Sequence, residues 1–539
     1  MKISPASGPA LVIALLCAAY VAGAAMIRPS LLPDAAYGLL VAKSMRHGAP
    51  WNHMAEPMAD NIAQDRSHFY AIWSPGQYAI PAVLINAGLP TGISVAIVSI
   101  TASLLGLAGW LLLFRRLGCR LAIAAGACMV IACSRSFNYS FVAYVGSDVL
   151  AFAAFPWIAV ALLELNDSPW LAPAAAAAMV AAFFVKNSLP IYVGAWIAAQ
   201  SFVTFRRDIG ARRILVTAAP VAAAAIAIAV VHWTYNSRGW TPIAYQPSFS
   251  AAPHRYLLPW AMPILAASSW DDVFSRVFSH PAGAVIDFDY KRSVPLLLAI
   301  VVVTAGTAWH SHRRSISTSA PIVFAFSAIV LAIFTVLLVT GSGASLDLSR
   351  HYRIVGYLWL PLLVQLAAAS RPVLAVAITA ALLVPCAYGV ASFASNWRRH
   401  FDQRMSHSTW LQVTHPSLTG RDVRTLTALD AELPEGSLVV TPAAAYALEF
   451  ERIRALATSA VSDPIELIRA TRRRGTVANL LVIAELPGMT EARQRAWIDA
   501  FASYDTWESA DIDHLRIYVP AQQQISGAWL RDRFGRLED

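Results

Sequence analysis

Long apolar stretches recur along the first three quarters of the chain, at roughly 9–27, 71–89, 91–114, 121–134, 141–163, 171–185, 189–205, 214–233, 294–309, 320–341, 354–369 and 371–394. Several fall short of the ~20 residues of an isolated transmembrane helix but are long enough to span with support from neighbouring helices. After residue 395 the pattern changes. Short apolar runs at 437–441, 479–484 and 514–519 alternate with helical patterns near 443–454, 463–474 and 490–503, which predicts a small α/β domain. The expected architecture is therefore a polytopic α-helical membrane body, residues 1–394, followed by a C-terminal soluble α/β domain, residues 395–539.

Arginine clusters in short loops orient the body: Arg115, Arg116 and Arg120; Arg206, Arg207, Arg212 and Arg213; Arg313 and Arg314; and Arg371. With all four on the cytoplasmic side, every segment from 121 onward alternates consistently. Parity then requires 71–89, which holds Trp73, Ser74, Pro75, Gly76 and Pro81, to be interfacial or half-inserted rather than a span. About eleven crossings remain. The first stretch reads as a retained anchor rather than a cleaved signal, because its apolar run is long and more such segments follow. Residues 28–70, 134–148, 234–293 and 342–353, together with the C-terminal domain, are placed on the outer face.

Composition agrees. Of 539 residues, 57% are hydrophobic and 14% charged, against about 25% charged in soluble domains, so a soluble enzyme is excluded. About half of the charged side chains fall after residue 395. The net charge of +9 comes without a long basic run, and membrane orientation accounts for it better than nucleic acid does. The five cysteines, Cys17, Cys119, Cys128, Cys133 and Cys386, sit in or beside apolar stretches without metal-ligand spacing and read as small apolar fillers. No GxGxxG, GK[ST] phosphate loop or HExxH occurs, which removes the usual support for nucleotide-driven transport and zinc peptidase chemistry.

Polar chemistry gathers in the outer segments. Asp34 stands where the chain leaves the first span and begins a short amphipathic helix; a helix cap and a functional carboxylate look alike there. Asp148 stands at the outer mouth of a later span, where a carboxylate is costly and usually has a task. Lysine occurs only at 2, 43, 186 and 291, so Lys186, between two apolar segments on the outer side, is informative: it either snorkels or counters an anionic headgroup. Arg350 and Arg353 are three apart, a spacing that places two forked guanidinium groups on one helix face, suited to phosphate oxygens. In 234–293, Trp240, Tyr245, His254, Tyr256, Trp260 and Trp270 offer aromatic surfaces for a sugar or for a membrane interface.

Taken in chain order, Asp34 with Tyr37 and Ala42-Lys43, the Trp73-Ser74-Pro75 stretch, Asn138-Tyr139-Ser140 through Asp148, Lys186-Asn187-Ser188-Leu189-Pro190, and Arg350-His351-Tyr352-Arg353 before a proline-bearing helix resemble the GT-C superfamily. These are integral-membrane glycosyltransferases that include protein O-mannosyltransferases and lipid A aminoarabinose transferases. The resemblance implies a GT-C-like body of about eleven helices and a polyprenyl-phosphate sugar donor. It implies Asp34 as the catalytic acid of the first loop, Asp148 as the second-loop acid, and Lys186, Arg350 and Arg353 as the phosphate-handling group. Tyr37, Lys43, Trp73, His254, Tyr256, His351 and Tyr352 are the remaining candidates for substrate contact. No cofactor is required; a divalent cation, if one is used, would fall to Asp34 and Asp148.

The expected activity is transfer of a sugar to an acceptor hydroxyl at the outer face of a bacterial inner membrane, with inversion, the C-terminal domain being periplasmic. The acceptor, whether glycan, lipid or protein, stays open, and nucleic acid is not a partner. Two rivals fit the same composition. A lipid-linked-sugar transporter or flippase should show inverted repeats, which the sequence lacks. An O-antigen ligase or polymerase would place its chemistry in 234–293.

Overall fold

The computed structural model describes residues 7–58, 61–71, 73–205, 211–239, 253–278, 294–313, 320–340, 349–402, 411–415, 418–457, 475–485, 490–499, 501 and 503–535. Helix α1 (Ser7–Met26) leads to strand β1 (Ser30–Leu31), helix α2 (Pro33–Arg46), the hairpin of β2 (His53–Pro57) and β3 (Asp65–Phe69), and helix α3 (Gly76–Asn86). There follow α4 (Thr91–Arg116), α5 (Leu121–Cys133), α6 (Arg135–Asn138), β4 (Ala143–Tyr144), α7 (Ser147–Glu164), α8 (Leu171–Val185), α9 (Leu189–Phe205) and α10 (Ala211–Thr234). The rest of the body is α11 (Pro253–Ala267), α12 (Trp270–Phe278), α13 (Val294–Arg313), α14 (Ala320–Val339), α15 (Arg353–Ala369) and α16 (Pro372–Asp402).

The apolar stretches become helices because a backbone in lipid must satisfy its own hydrogen bonds. Among the described residues α1, α4, α7, α10, α14 and α16 are long and apolar enough to cross a membrane, and α5 with 135–141 is so only as a pair, bent by 62° as in a broken span or a re-entrant loop. Shorter apolar helices, α8, α9, α15 and 297–306 of α13, occupy the other segments expected to cross. Helix α3 has 11 residues, about 16 Å, roughly half of the ~30 Å hydrocarbon layer. It buries Gln77, Tyr78 and Pro81 and leaves Ile80 and Val83 exposed, as an interfacial helix does.

Residues 234–293 are not simply an outer loop. Within them α11 is apolar and buries Leu258, Ala261, Met262, Leu265 and Ala266 in the core of the bundle, against α13, α14 and α15. Part of the expected outer loop is thus a packed helix, because the aromatic residues that suggested a surface are interleaved with aliphatic ones at helical spacing. Arg135 holds the following helix, α12, through Asp272 at 2.5 Å. Trp240 and Tyr245 and the side chain of His254 lie outside the described residues.

The C-terminal domain is a five-stranded sheet in the order β6-β5-β7-β9-β8, built from β5 (Leu438–Thr441), β6 (Arg454–Ala457), β7 (Leu480–Glu485), β8 (Trp507–Ile512) and β9 (Leu515–Pro520). Strands β6, β5 and β7 are parallel; β9 and β8 are antiparallel additions. The alternation along β5 and β7 sends Val439, Leu481 and Ile483 to one face, under α17 (Gly420–Glu432) and α20 (Gly527–Phe534), with α18 (Ala444–Ala447) and α19 (Glu491–Ile498) completing the domain. It sends Leu438, Val440, Leu480 and Val482 to the other face, where they meet Phe501 and, from the first outer loop of the body, Ile62. Two expectations change. The helical pattern at 443–454 yields only α18, since Arg454–Ala457 pairs with β5 as a strand, and 463–474 lies outside the described residues. The boundary at 394/395 falls inside α16, which continues to Asp402 because residues 390–402 contain neither proline nor glycine. All five cysteines are free, and four are buried.

Candidate functional site

Two strands of two residues place the acids. β1 pairs in parallel with β4, Ser30 opposite Ala143 and Leu31 opposite Tyr144, with Leu32 N–H donating to the Tyr144 carbonyl at 3.3 Å. Each strand feeds a helix, so the N-termini of α2 and α7 emerge side by side, each with a carboxylate at its second residue, Asp34 and Asp148. Carboxylates suit that place, next to unpaired N–H groups and the positive end of the helix dipole. Gly146 makes the sharp entry to α7 at φ 63° and ψ −128°, a region that essentially only glycine visits. A methyl group there would also stand 2.7 Å from Gln77 Oε1. Gln77 ties the parts together: its amide donates to the Asp34 carbonyl at 3.3 Å, and its own carbonyl accepts from Tyr144 Oη at 2.5 Å.

The cations come from two other places. Lys186 ends α8 in an extended conformation and pairs with Asp148 Oδ1. Its turn is held by the Trp73–Gly76 segment: Ser74 Oγ bonds the Phe183 carbonyl at 2.7 Å and Asn187 Oδ1 at 2.5 Å. Gly76 packs so closely that an added methyl would meet the Phe184 carbonyl at 2.6 Å. Arg350 lies on the 3-10 turn Ser349–His351 just before α15. Its Nη1 stands 3.3 Å from Asp34 Oδ2 and 3.7 Å from Asp148 Oδ2, so one guanidinium bridges both acids. The turn is anchored by Tyr192, whose hydroxyl donates to the His351 carbonyl, and by Tyr352, buried edge-on to Phe334.

The result is a continuous ladder, Asp34–Arg350–Asp148–Lys186, from four separate elements, with side chains between 14% and 32% exposed. Burial raises the pKa of Asp34 above its ordinary value, opposed by Arg350 and reinforced by the negative charge of Asp148. His351 is buried, and that burial, with the positive charges of Lys186 and Arg350, lowers its pKa to about 3, so its imidazole is neutral near pH 7. Arg350 Nε and both ring nitrogens of His351 are buried without hydrogen-bond partners among the described residues. Buried polar atoms are nearly always satisfied, so these mark a place where a ligand completes the bonding.

Other candidates lie elsewhere. Lys43 is nine residues along α2 from Asp34, about 13 Å by helical rise, and its ammonium donates to the carbonyls of Ala447, at 3.3 Å, and Phe450 in the C-terminal domain. Its rarity suggested a substrate contact; the structure spends it on a domain contact. Arg353 opens α15 half-buried, beside His351 and Tyr357, and forms no ion pair with either acid among the described residues. Tyr352 and Tyr37 are core residues, and Trp73 packs partly buried at the edge of the cluster that holds Tyr37. Tyr256 is exposed at the start of α11. Sequence reading missed Gln77, Tyr192 and Tyr70, the last fully buried near Asp34, and quoted Asn187 without giving it a role. Gln77 directly follows the quoted Trp73–Gly76 stretch, which is the signal that could have found it. Among the described residues, three ligand groups close enough to chelate a metal occur only at Asp422, Asp513 and His514. There the Asp422 carboxylate is already consumed by the Thr419 cap of α17.

No family model and no curated protein matches the sequence. Among solved structures, the chain is similar to ArnT from Cupriavidus metallidurans bound to undecaprenyl phosphate, at 13% identity and a TM-score of 0.48, and to the same protein in the apo state, at 13% and 0.49; each comparison covers 96% of this chain and 98% of that chain.

Proposed function

We propose that the chain is a membrane glycosyltransferase that moves a sugar from a polyprenyl-phosphate-linked donor to an acceptor hydroxyl at the outer face of a bacterial inner membrane, with inversion. The observation that carries this reading is the Asp34–Arg350–Asp148–Lys186 ladder at the end of the helical bundle, with buried open donors on Arg350 and His351 beside it. A base, two cations and unfilled hydrogen-bonding capacity are what displacement of a lipid phosphate needs.

In this mechanism the acceptor oxygen attacks the anomeric carbon while its proton passes to Asp34. The bond from that carbon to the phosphate oxygen breaks, and its electron pair leaves with the lipid phosphate. Arg350 and Lys186 neutralise the growing charge in a partly dry site, where each oriented donor of this kind is worth about 10²–10³ in rate. Neutral His351 donates one further hydrogen bond, and Arg353, a helical turn away, adds positive potential. Asp148 holds Lys186 and Arg350 in place. In this reading Arg350, standing between the two carboxylates, supplies the positive charge that a divalent cation held by Asp34 and Asp148 would otherwise bring.

Asp34→Asn tests the base and Lys186→Met the phosphate site. The first should lower transfer about 10²–10⁴-fold, the range for loss of a general base, while still retaining a polyprenyl phosphate added before purification. The second should lose that lipid, read by mass spectrometry. Full transfer by Asp34→Asn would end this reading. If substitution of His254 or Arg255 abolished transfer while Asp34→Asn left it intact, the chemistry would lie in 234–293, as a polysaccharide ligase requires.

A further inference from the structure

The helix that carries Asp34 is gripped by the C-terminal domain at both ends. Upstream, Thr414 Oγ1 donates to the Arg28 carbonyl at 2.6 Å and Thr414 N–H to the Pro29 carbonyl at 3.3 Å, five and six residues before Asp34. Downstream, Lys43 donates to the carbonyls that close α18, Arg46 pairs with Glu451 at 2.5 Å, and His47 reaches the same carboxylate at 3.3 Å. Further along the same loop, Arg454 bonds Asp65 through Nε at 3.0 Å and the Ile62 carbonyl at 3.0 Å, while Ile62 itself is fully buried in the core of the sheet. A fourth tie joins Gly92, at the start of α4, to the Leu411 carbonyl at 2.6 Å, so closely that a methyl group on Gly92 would stand 1.8 Å from the Gln412 carbonyl.

α2 is 14 residues long, near the lower limit for a helix in water, so packing must hold it. The body supplies part of that packing through α3, β2 and the Gln77 bond to the Asp34 carbonyl. The C-terminal segment supplies the rest, because Tyr37 and Leu39 of α2 share one buried cluster with Leu411, Val413, Ala444 and Leu448 as well as with Tyr70, Tyr78 and Val98 of the body. Lys43 is the pin. Its ammonium is buried against the last carbonyl of α18, Ala447, and against that of Phe450 in the turn that follows.

We infer that the C-terminal domain is a clamp on α2 that sets where Asp34 stands relative to Arg350 and Asp148, with Lys43 and the Arg46–Glu451 pair as its positioning residues. The inference rests on Asp34 being the base of the proposed transfer, but the clamp itself is a structural statement with its own readout. A reacting group displaced by about 1 Å loses on the order of 10² in rate, so a clamp at the far end of a short helix acts on turnover rather than on donor binding.

The test uses the full-length protein in lipid. Lys43→Met should lower kcat at least tenfold with the donor KM within twofold, and should raise amide hydrogen exchange across 34–46 at least tenfold. Lys43→Arg, which keeps charge and donors, should recover most of both. Arg46→Glu should lower kcat at least threefold, and the Arg46→Glu/Glu451→Arg exchange should restore it; this pair is half-exposed, so it keeps the test open if Lys43→Met fails to fold. Glu432→Gln, at the Arg533 pair within the domain, should change neither readout. Wild-type kcat and wild-type exchange in Lys43→Met would overturn the clamp, as would an equal loss in Glu432→Gln. If Asp34→Asn stayed active while Lys43→Met loosened α2, the catalytic reading would fall and the clamp would stand.

Discussion

Asp34 carries two opposing influences, and the balance gives a pH prediction. Burial and the neighbouring negative charge of Asp148 raise its pKa, while Arg350 lowers it. A base with a raised pKa loses its carboxylate form at a higher pH than an ordinary aspartate, so the acid limb of kcat/KM against pH lies above the usual value of about 3.9. Arg350→Gln removes the lowering influence; its limb should move to still higher pH, in addition to the loss of rate. Lys186→Met should move it the same way by less, since Lys186 is the smaller influence on Asp34. A limb that moved to lower pH in Arg350→Gln would show that the guanidinium does not hold Asp34. At this scale the sequence was informative where a charge stood among apolar neighbours: Asp34, Asp148, Lys186 and Arg350 all meet in space. It was silent on neutral partners such as Gln77 and Tyr192, whose composition resembles that of any loop or span. It misled at Lys43, because rarity marks a costly charge without saying what compensates it.

Elements of two residues decide the geometry. β1 and β4 are too short to leave an alternating pattern, so nothing in the sequence announces that the starts of α2 and α7 are neighbours. Gly146 is the hinge of that arrangement. Gly146→Ala should cost about 1–3 kcal/mol for the backbone conformation alone and push against Gln77 Oε1, which anchors Asp34 through its amide. The expected outcome is a fall in transfer of tenfold or more together with a lowered midpoint of thermal unfolding; unchanged values of both would show that the turn is not strained as described. Longer elements were legible. The long apolar helices and three of the five strands of the tail, β5, β7 and β9, followed from hydropathy and alternation, whereas β6 and β8 carry too little apolar alternation to be read and α11 was hidden by aromatic residues that suit a membrane surface as well as a packed bundle.

For the whole molecule the proposed topology puts the arginine clusters and the site on opposite sides of the membrane. A cysteine at Glu435, exposed in the C-terminal domain, should react with a membrane-impermeant maleimide in intact spheroplasts. One at Arg371, in the short exposed loop before α16, should react only after permeabilisation. Four of the five native cysteines are buried, which keeps the background low, and equal labelling of both positions would overturn the orientation. Hydropathy separated a helical body from a small sheet domain, with α16 running across the expected boundary, yet the interlocking of the two was invisible, because contacts such as Ile62 in the sheet join residues hundreds of positions apart. One feature of the site reaches beyond catalysis. The four rungs of the ladder carry two negative and two positive charges, so their fields cancel within a short distance of the pocket. Arg353, a helical turn away, leaves the surroundings with the field of about one positive charge, a weak pull on dissolved phosphate or nucleotide. Under the proposed reaction the phosphate arrives in the plane of the membrane on its lipid tail, a route that needs no stronger field.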